Sequence, residues 1–273
     1  MPVPRIYHTE AIVLSRFELG EADRVLTLLT PHGGKLKAIA KGVRRPRSRL
    51  GGAVEPFAEL YLVLARARTF DVITSASVGH AWLSLRERLE STATAWYLAE
   101  LAERAVEERA FAYPVYALLK RAYQLLDDGM APGRVARWFE YGLADALGMR
   151  PEVERCVECD RMLEPDEEFR WVPTLGGTLC AHHPTPPAEV APLSLAALKL
   201  LRAYRRLDIE AIAGLRLPVA VEAEVEVALR RFIRAMLERE PRSLAFLDEV
   251  RARRARVAVQ MDVGPVREVL PTG

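Results

Sequence analysis

Through about its first eighty residues the chain alternates apolar and polar positions at the short period of strands. Beyond them it switches to the longer period of helices. Ile6 to Phe17 is a long β-branched run with partial alternation, broken by Gly20. Arg24 to Thr30 reads as a second strand, closed by the turn Pro31-His32-Gly33-Gly34. Gly34 to Gly42 reads as a third, with Leu36, Ala38 and Ala40 on one side and Lys35, Lys37, Ile39 and Lys41 on the other. Phe57 to Ala67 and Phe70 to Val78, joined at Arg68-Thr69, supply two more. Five short strands with turn residues between them predict a small closed barrel or sandwich.

From about residue 81, Trp82, Leu85, Leu89, Ala93, Trp96, Tyr97, Leu101 and Ala105 recur at threes and fours, which predicts one long amphipathic helix. Tyr113-Pro114 restarts the chain, and Val115 to Leu126 is a second helix ending at Asp128-Gly129. Pro132 opens a third that ends at Gly148. A cysteine-bearing insert follows over about 152–184. Helices resume over Leu193-Ser194 to Tyr204 and Val219 to Glu238. The tail after Arg242 is weakly patterned and carries Arg251, Arg253, Arg254 and Arg256. The predicted fold class is α+β and multidomain. A barrel occupies 1–80, a helical domain 81–151 and 185–243, an insert 152–184 and a tail 244–273.

Charge sharpens this division. The chain has 273 residues and a net charge of only +2. Residues 1–80 carry 12 Lys/Arg against 7 Asp/Glu, so the remainder is slightly acidic. The excess concentrates in Lys35 to Arg49, where seven of fifteen residues are basic and none is acidic. These are Lys35, Lys37, Lys41, Arg44, Arg45, Arg47 and Arg49. A strand running out into a basic loop suits a polyanion. The oligonucleotide-binding (OB) barrel has five strands and binds nucleic acid on its strand 2–3 face and loops. The basic third strand would lie on such a face and contact phosphates, which carry no sequence information. Aromatics for base stacking are few there: Tyr7, Phe17, Phe57, Tyr61 and Phe70, mostly in positions that suit core packing. A backbone-dominated mode that holds duplex as well as single strand is therefore expected.

Three cysteines are clustered late, which is no disulfide framework and fits a reducing cytoplasmic setting. The start of the chain lacks the apolar segment of a signal peptide, and no run of 18 apolar residues predicts a membrane span. Cys156-Val-Glu-Cys159 and Cys180-Ala-His-His183 read as two knuckles about twenty residues apart. That spacing places four ligands around one tetrahedral ion, Zn2+ with a structural role. Cys156, Cys159, Cys180 and His183 are the expected set, with His182 or a water as alternatives in the fourth position. No H-x-E or H-E-x-x-H pattern accompanies them to activate a bound water. Gly33-Gly34-Lys35 is not a Walker loop, Ser48 has no His/Asp partner pattern, and Gly20-Glu21-Ala22-Asp23-Arg24 reads as a turn whose carboxylates pair with arginine.

These features together resemble the RecO family of bacterial recombination mediators. The resemblance rests on Leu19-Gly20-Glu21-Ala22-Asp23-Arg24 leading to Leu28-Leu29-Thr30, on Gly33-Gly34-Lys35, and on Ala38-Ile39-Ala40-Lys41-Gly42-Val43-Arg44-Arg45. Ser48-Arg49, Glu55-Pro56-Phe57, the helical middle, the knuckles and Arg242-Ser243-Leu244 to Phe246-Leu247 extend it. It implies an amino-terminal OB fold, a helical domain and an inserted zinc finger. It also implies binding of single- and double-stranded DNA, strand annealing, and no catalysis of a covalent step. The implied partners are RecR and the acidic tail of single-strand binding protein (SSB), in support of RecA loading. His183 stands where zinc-bearing relatives often have a fourth Cys. An acidic tail would need a basic-rimmed apolar pocket, for which Lys120-Arg121, or Arg202 with Arg205-Arg206, are the candidate rims. The competing readings are a protein scaffold whose basic loop meets an acidic protein, an RNA-binding OB/zinc-ribbon protein, and a zinc-dependent enzyme acting on nucleic acid.

Overall fold

The computed structural model describes residues 5–46, 48, 50–52, 54–184 and 190–262. The five predicted strands form, at β1 (Ile6–Leu19), β2 (Asp23–Thr30), β3 (Gly34–Ala40), β4 (Glu59–Ala65) and β5 (Asp71–His80). They close into a barrel in the order β1-β2-β3-β5-β4. The closing pair is short and parallel, Ala38 with Asp71 and Ile39 with Val72, whereas the other pairs are antiparallel. This is the OB-type barrel that the strand count predicts.

β1 explains how the barrel meets the rest of the molecule. Ala11, Ile12, Val13 and Leu14 are all buried. Ala11 and Val13 pack inside the barrel with Leu26, Leu28, Leu36 and Leu62, whereas Ile12 and Leu14 pack into the helical core. Successive strand residues point to opposite faces, so an unbroken apolar run serves two cores at once.

The helical unit comprises α1 (Leu83–Glu87), α2 (Leu89–Ala105), α3 (Tyr113–Asp127), α4 (Pro132–Ala146), α5 (Leu195–Arg206), α6 (Ile209–Ala213), α7 (Val219–Leu237) and α8 (Arg242–Asp262). The single helix predicted from Trp82 to Ala105 is broken at Arg88, whose backbone is extended (φ −110°, ψ 113°). The guanidinium of Arg88 donates to the carbonyls of Leu126 and Asp127 at the end of α3, at 2.5 and 2.7 Å. Helix ends leave carbonyls without partners, and Arg88 leaves the helix to supply them. The break shifts the helical phase and leaves Leu89 exposed.

The predicted tail is corrected as well. Residues from Arg242 to Asp262 form α8, which packs Leu244, Leu247 and Val250 into the helical core. Its start is capped from α2: Glu100 accepts from the backbone N–H groups of Arg242 and Ser243, at 2.9 and 2.7 Å. A carboxylate at a helix amino terminus meets unpaired N–H groups and the positive end of the helix dipole. At the centre, buried Arg137 pairs with Glu140 and lies 3.1 Å from Glu226, while the Tyr97 hydroxyl donates to Glu140 at 2.6 Å. This network ties α2, α4 and α7 together.

The insert builds a small sheet from β6 (Phe169–Val172), β7 (Gly177–Cys180) and β8 (Ala191–Leu193), in the order β7-β6-β8. Its last strand lies beyond residue 184, so the sheet extends past the predicted boundary of the insert. Trp171 is fully buried and its indole N–H donates to the Ala228 carbonyl of α7 at 2.8 Å, seating the sheet on the helices.

Candidate nucleic-acid interface and metal centre

β3 buries Leu36, Ala38 and Ala40 and leaves Lys37 exposed, as its alternation predicts. The loop after it is folded back on the barrel. Val43 is buried in the barrel core. The Gly42 N–H donates to the Asp23 carboxylate at 2.7 Å, and the Arg44 N–H donates to the Ala22 carbonyl at 3.0 Å. Asp23 is thus spent on backbone and not on an arginine.

The seven predicted cations do not share one environment. Lys37, Lys41 and Arg45 are exposed and make no ion pair among the described residues. Arg44 is exposed but pairs with Glu18 at 3.2 Å. Lys35 turns toward the helices and donates to the Glu103 carbonyl at 2.6 Å. That places Lys35 in the junction between barrel and helices, a role its place in an alternating strand does not reveal. Arg47 and Arg49 lie outside the described residues. The arginines of α8 are largely neutralised: Arg251 pairs with Glu90 and Glu226, Arg253 with Glu249, and Arg254 with Glu90. Both expected pocket rims are neutralised too. Lys120 pairs with Glu59, Arg121 with Glu210, and Arg202, Arg205 and Arg206 with Glu154.

The knuckle residues converge. The ligand atoms of Cys156, Cys159, Cys180 and His183 all lie within 4.8 Å of one another. The Cys159 and Cys180 sulfurs are 4.0 Å apart, close to the roughly 3.8 Å separation that tetrahedral Zn–S bonds of ~2.3 Å impose. His183 Nε2 is buried without a hydrogen-bond partner, which a metal–ligand bond would satisfy. Arg170 fixes the second knuckle by donating to the Cys180 and His183 carbonyls, at 2.8 and 2.5 Å. Burial pushes the Cys156 thiol up, but backbone N–H groups of Cys180, Cys159 and Glu158 bring it down to about 7, whereas burial and the two neighbouring sulfurs hold Cys180 up, so the thiols of the cluster do not ionise together without a cation among them. His182 belongs to a different trio with Glu167 and Cys180. There Glu167 already pairs with Arg161 at 2.8 Å, so the four-donor set with His183 is the better fit. These residues can hold one metal ion.

The model of the amino-terminal part of recombination protein O matches residues 3–82, and that of its carboxy-terminal part matches residues 86–245. This chain belongs to the RecO family. Curated RecO relatives agree along nearly the whole length. The DNA repair protein RecO of Roseiflexus sp. (strain RS-1) is 40% identical, covering 90% of this chain and 87% of that protein. The RecO protein of Desulforudis audaxviator (strain MP104C) is 37% identical over 88% and 96%, and that of Dehalococcoides mccartyi (strain CBDB1) 32% over 92% and 98%.

Sequence reading of this RecO chain missed the junction between barrel and helices. An open cleft of about 1,110 Å3 lies there, lined by β1, β4, β5, the β2–β3 turn and the segment before α3. Arg109 reaches from that segment to buried Asp71 on β5 at 3.2 Å, and the Tyr7 hydroxyl donates to the same carboxylate at 2.5 Å. Burial raises the Asp71 carboxyl, but the bonds from Tyr7, Ala67 and Arg109 outweigh it and hold the group below its usual value. No spacing signal links residues 7, 71 and 109. Among the described residues, no helix is long and apolar enough to cross a membrane.

Proposed function

We propose that this chain acts in recombinational DNA repair as a non-enzymatic mediator. It would hold DNA by its phosphates, anneal complementary single strands and, with RecR, assist RecA loading on SSB-coated DNA. Family membership makes this the leading reading. The observation that carries its DNA-binding step is the set of exposed, unneutralised cations Lys37, Lys41 and Arg45 on one strand and its following loop. Cations without carboxylate partners release counterions when they meet phosphate, whereas paired ones must first break an ion pair.

In this reading the division into a barrel to about residue 80, a helical domain and a finger separates three tasks. The barrel meets DNA, the helices meet partners, and the finger braces the helices through one structural Zn2+ held by Cys156, Cys159, Cys180 and His183. The candidate for an acidic SSB tail is a groove of about 320 Å3 between α3, α4 and α5, lined by Leu118, Trp138 and Tyr141, where the tail's carboxylates would have to displace Asp145 from Arg150 and Glu154 from Arg205.

The test is binding to a fluorescent single strand and to a duplex across a salt series, for wild type and Lys37→Glu/Arg45→Glu. For single strands the log–log slope is about −0.7 per phosphate neutralised. A steep slope that flattens in the variant supports the proposal. No binding at low salt would refute it and bring the protein-scaffold reading forward.

A further inference from the structure

The junction cleft differs from the basic loop in kind, and it shares no lining residue with the cations proposed above. Its lining combines exposed aromatic rings with small hydroxyl residues such as Ser75 and Ser77. Tyr61 on β4 is 51% exposed, and its ring lies over Gly79, where a Cβ would meet ring atom Cε2 at 2.8 Å. The missing side chain at 79 lets the ring lie flat against the strand. Across the cleft, the rings of His32 in the β2–β3 turn and Tyr113 at the start of α3 are nearly parallel, 14° apart with centroids 6.3 Å apart. Tyr113 is 52% exposed. Neither exposed tyrosine donates a hydrogen bond among those described, unlike Tyr7 and Tyr116, whose hydroxyls are bound to carboxylates.

The rim is basic. Arg66 stands over the Tyr7 ring at 5.2 Å, and its backbone N–H donates to the Arg5 carbonyl at 2.8 Å. Arg66 lines the cleft and Arg5 adjoins it; both are exposed, and neither pairs with a carboxylate among the described residues. Of the nearby acids, Asp71 is engaged by Tyr7 and Arg109, whereas Glu10, opposite Tyr61 in the β1–β4 pairing, keeps an exposed carboxylate that turns phosphates away from the floor and toward the arginine side.

Exposed rings on a rigid floor beside unneutralised arginines are the two components of a sequence-tolerant single-strand site. We propose that this cleft takes unpaired nucleobases, which stack on Tyr61 and Tyr113 while Arg66 and the adjoining Arg5 meet the neighbouring phosphates. The inference rests on the DNA-binding reading and deepens it. The base faces of a duplex are covered by their neighbours, so the cleft distinguishes single strands, whereas the basic loop takes phosphates of either form. A volume of about 1,110 Å3 exceeds the ~300–1,000 Å3 of ordinary small-ligand sites, leaving room for more than one base.

The experiment compares wild type, Tyr61→Ala, Tyr113→Ala and Tyr61→Phe on a thymidine oligomer and on a duplex at fixed salt. A second readout is the fluorescence of one aminopurine placed in a single strand. The expected result is a loss of roughly fivefold or more in single-strand affinity for each alanine variant, the lower end of what a stacked base contributes. Duplex affinity should stay unchanged, Tyr61→Phe should retain wild-type affinity, and aminopurine quenching should weaken in the alanine variants. Folded alanine variants that bind the oligomer as tightly as wild type would overturn the inference, while salt-dependent binding by wild type keeps the DNA reading standing. An equal loss on duplex would also overturn it, because the cleft would then be reading phosphates. Failure of wild type to bind either form would overturn both.

Discussion

Gly34 should be the most sensitive glycine of the barrel. It has φ +57°, in the left-handed region, and a Cβ there would lie 2.5 Å from the Ala110 carbonyl oxygen and 2.8 Å from both the Ala110 nitrogen and the Glu107 carbonyl oxygen. All three are backbone atoms, which cannot rotate away. Gly34→Ala adds the left-handed cost of about 1–2 kcal/mol. It also displaces the segment that exchanges bonds with the barrel: Lys35 N–H to Glu107 O (3.3 Å), Arg109 N–H to Lys35 O (3.1 Å) and Ala112 N–H to Pro31 O (3.1 Å). At about 1 kcal/mol each, losing two or three of these brings the total to roughly 3–5 kcal/mol. That is a large part of the ~5–15 kcal/mol that holds a typical domain folded. Gly20 is the matched control, with φ +61° and nothing within 4 Å of its added Cβ, so Gly20→Ala isolates the conformational cost. Urea unfolding followed by tryptophan fluorescence should place Gly34→Ala about 2 kcal/mol or more below Gly20→Ala, given the bonds at stake. Equal losses in the two variants would show that the segment yields freely and would refute the tight-junction argument.

Three further outcomes are expected. Lys35→Ala should lower stability and leave the salt slope of DNA binding intact, whereas Arg45→Glu should do the reverse; a flattened slope for Lys35→Ala would contradict its placement at the junction. Chelation or Cys159→Ser should release about one zinc per chain, read by atomic absorption, and open residues 155–183 to protease before the barrel unfolds, because structural metal binding is coupled to local folding. Acidification should loosen α8. Burial alone would raise the Glu100 carboxyl, but its bonds from Ser243 and Arg242, with Arg104 beside it, hold it below the usual value. A depressed carboxyl contributes stability fully above its unfolded pKa of about 4.3 and loses it as pH falls through the folded value. Hydrogen exchange over 242–250 should therefore accelerate in that acidic range, and Glu100→Gln should show fast exchange already at neutral pH. Exchange in Glu100→Gln as slow as in wild type would remove the carboxylate from the cap.

The barrel was legible because its signals are local. Alternation in β3, turn glycines and an apolar β1 appear within a few residues of one another. The convergence of Cys156, Cys159, Cys180 and His183 was legible for the same reason, as each knuckle spans only four positions. What escaped notice depends on partners distant in sequence. Arg88 breaks a helical run to serve carbonyls nearly forty residues later. The tail resembles an unstructured basic segment until Glu90 and Glu226 neutralise it and Glu100 caps it. Lys35 reads as one more cation until Glu103 claims it. Tyr61 reads as a core aromatic because nothing in its own strand indicates that it covers Gly79.

β1 also has a mechanical consequence. Ile12 and Leu14, with Leu29 and Phe57, are as much part of the helical core as the helices themselves. A barrel cut free after His80 would turn those four side chains to water, so it should aggregate and not behave as a portable DNA-binding module. Packed interiors transmit strain instead of absorbing it. A pull on a DNA strand held at the barrel would therefore be borne by the helical body through these shared side chains, and the two units would move as a single lever.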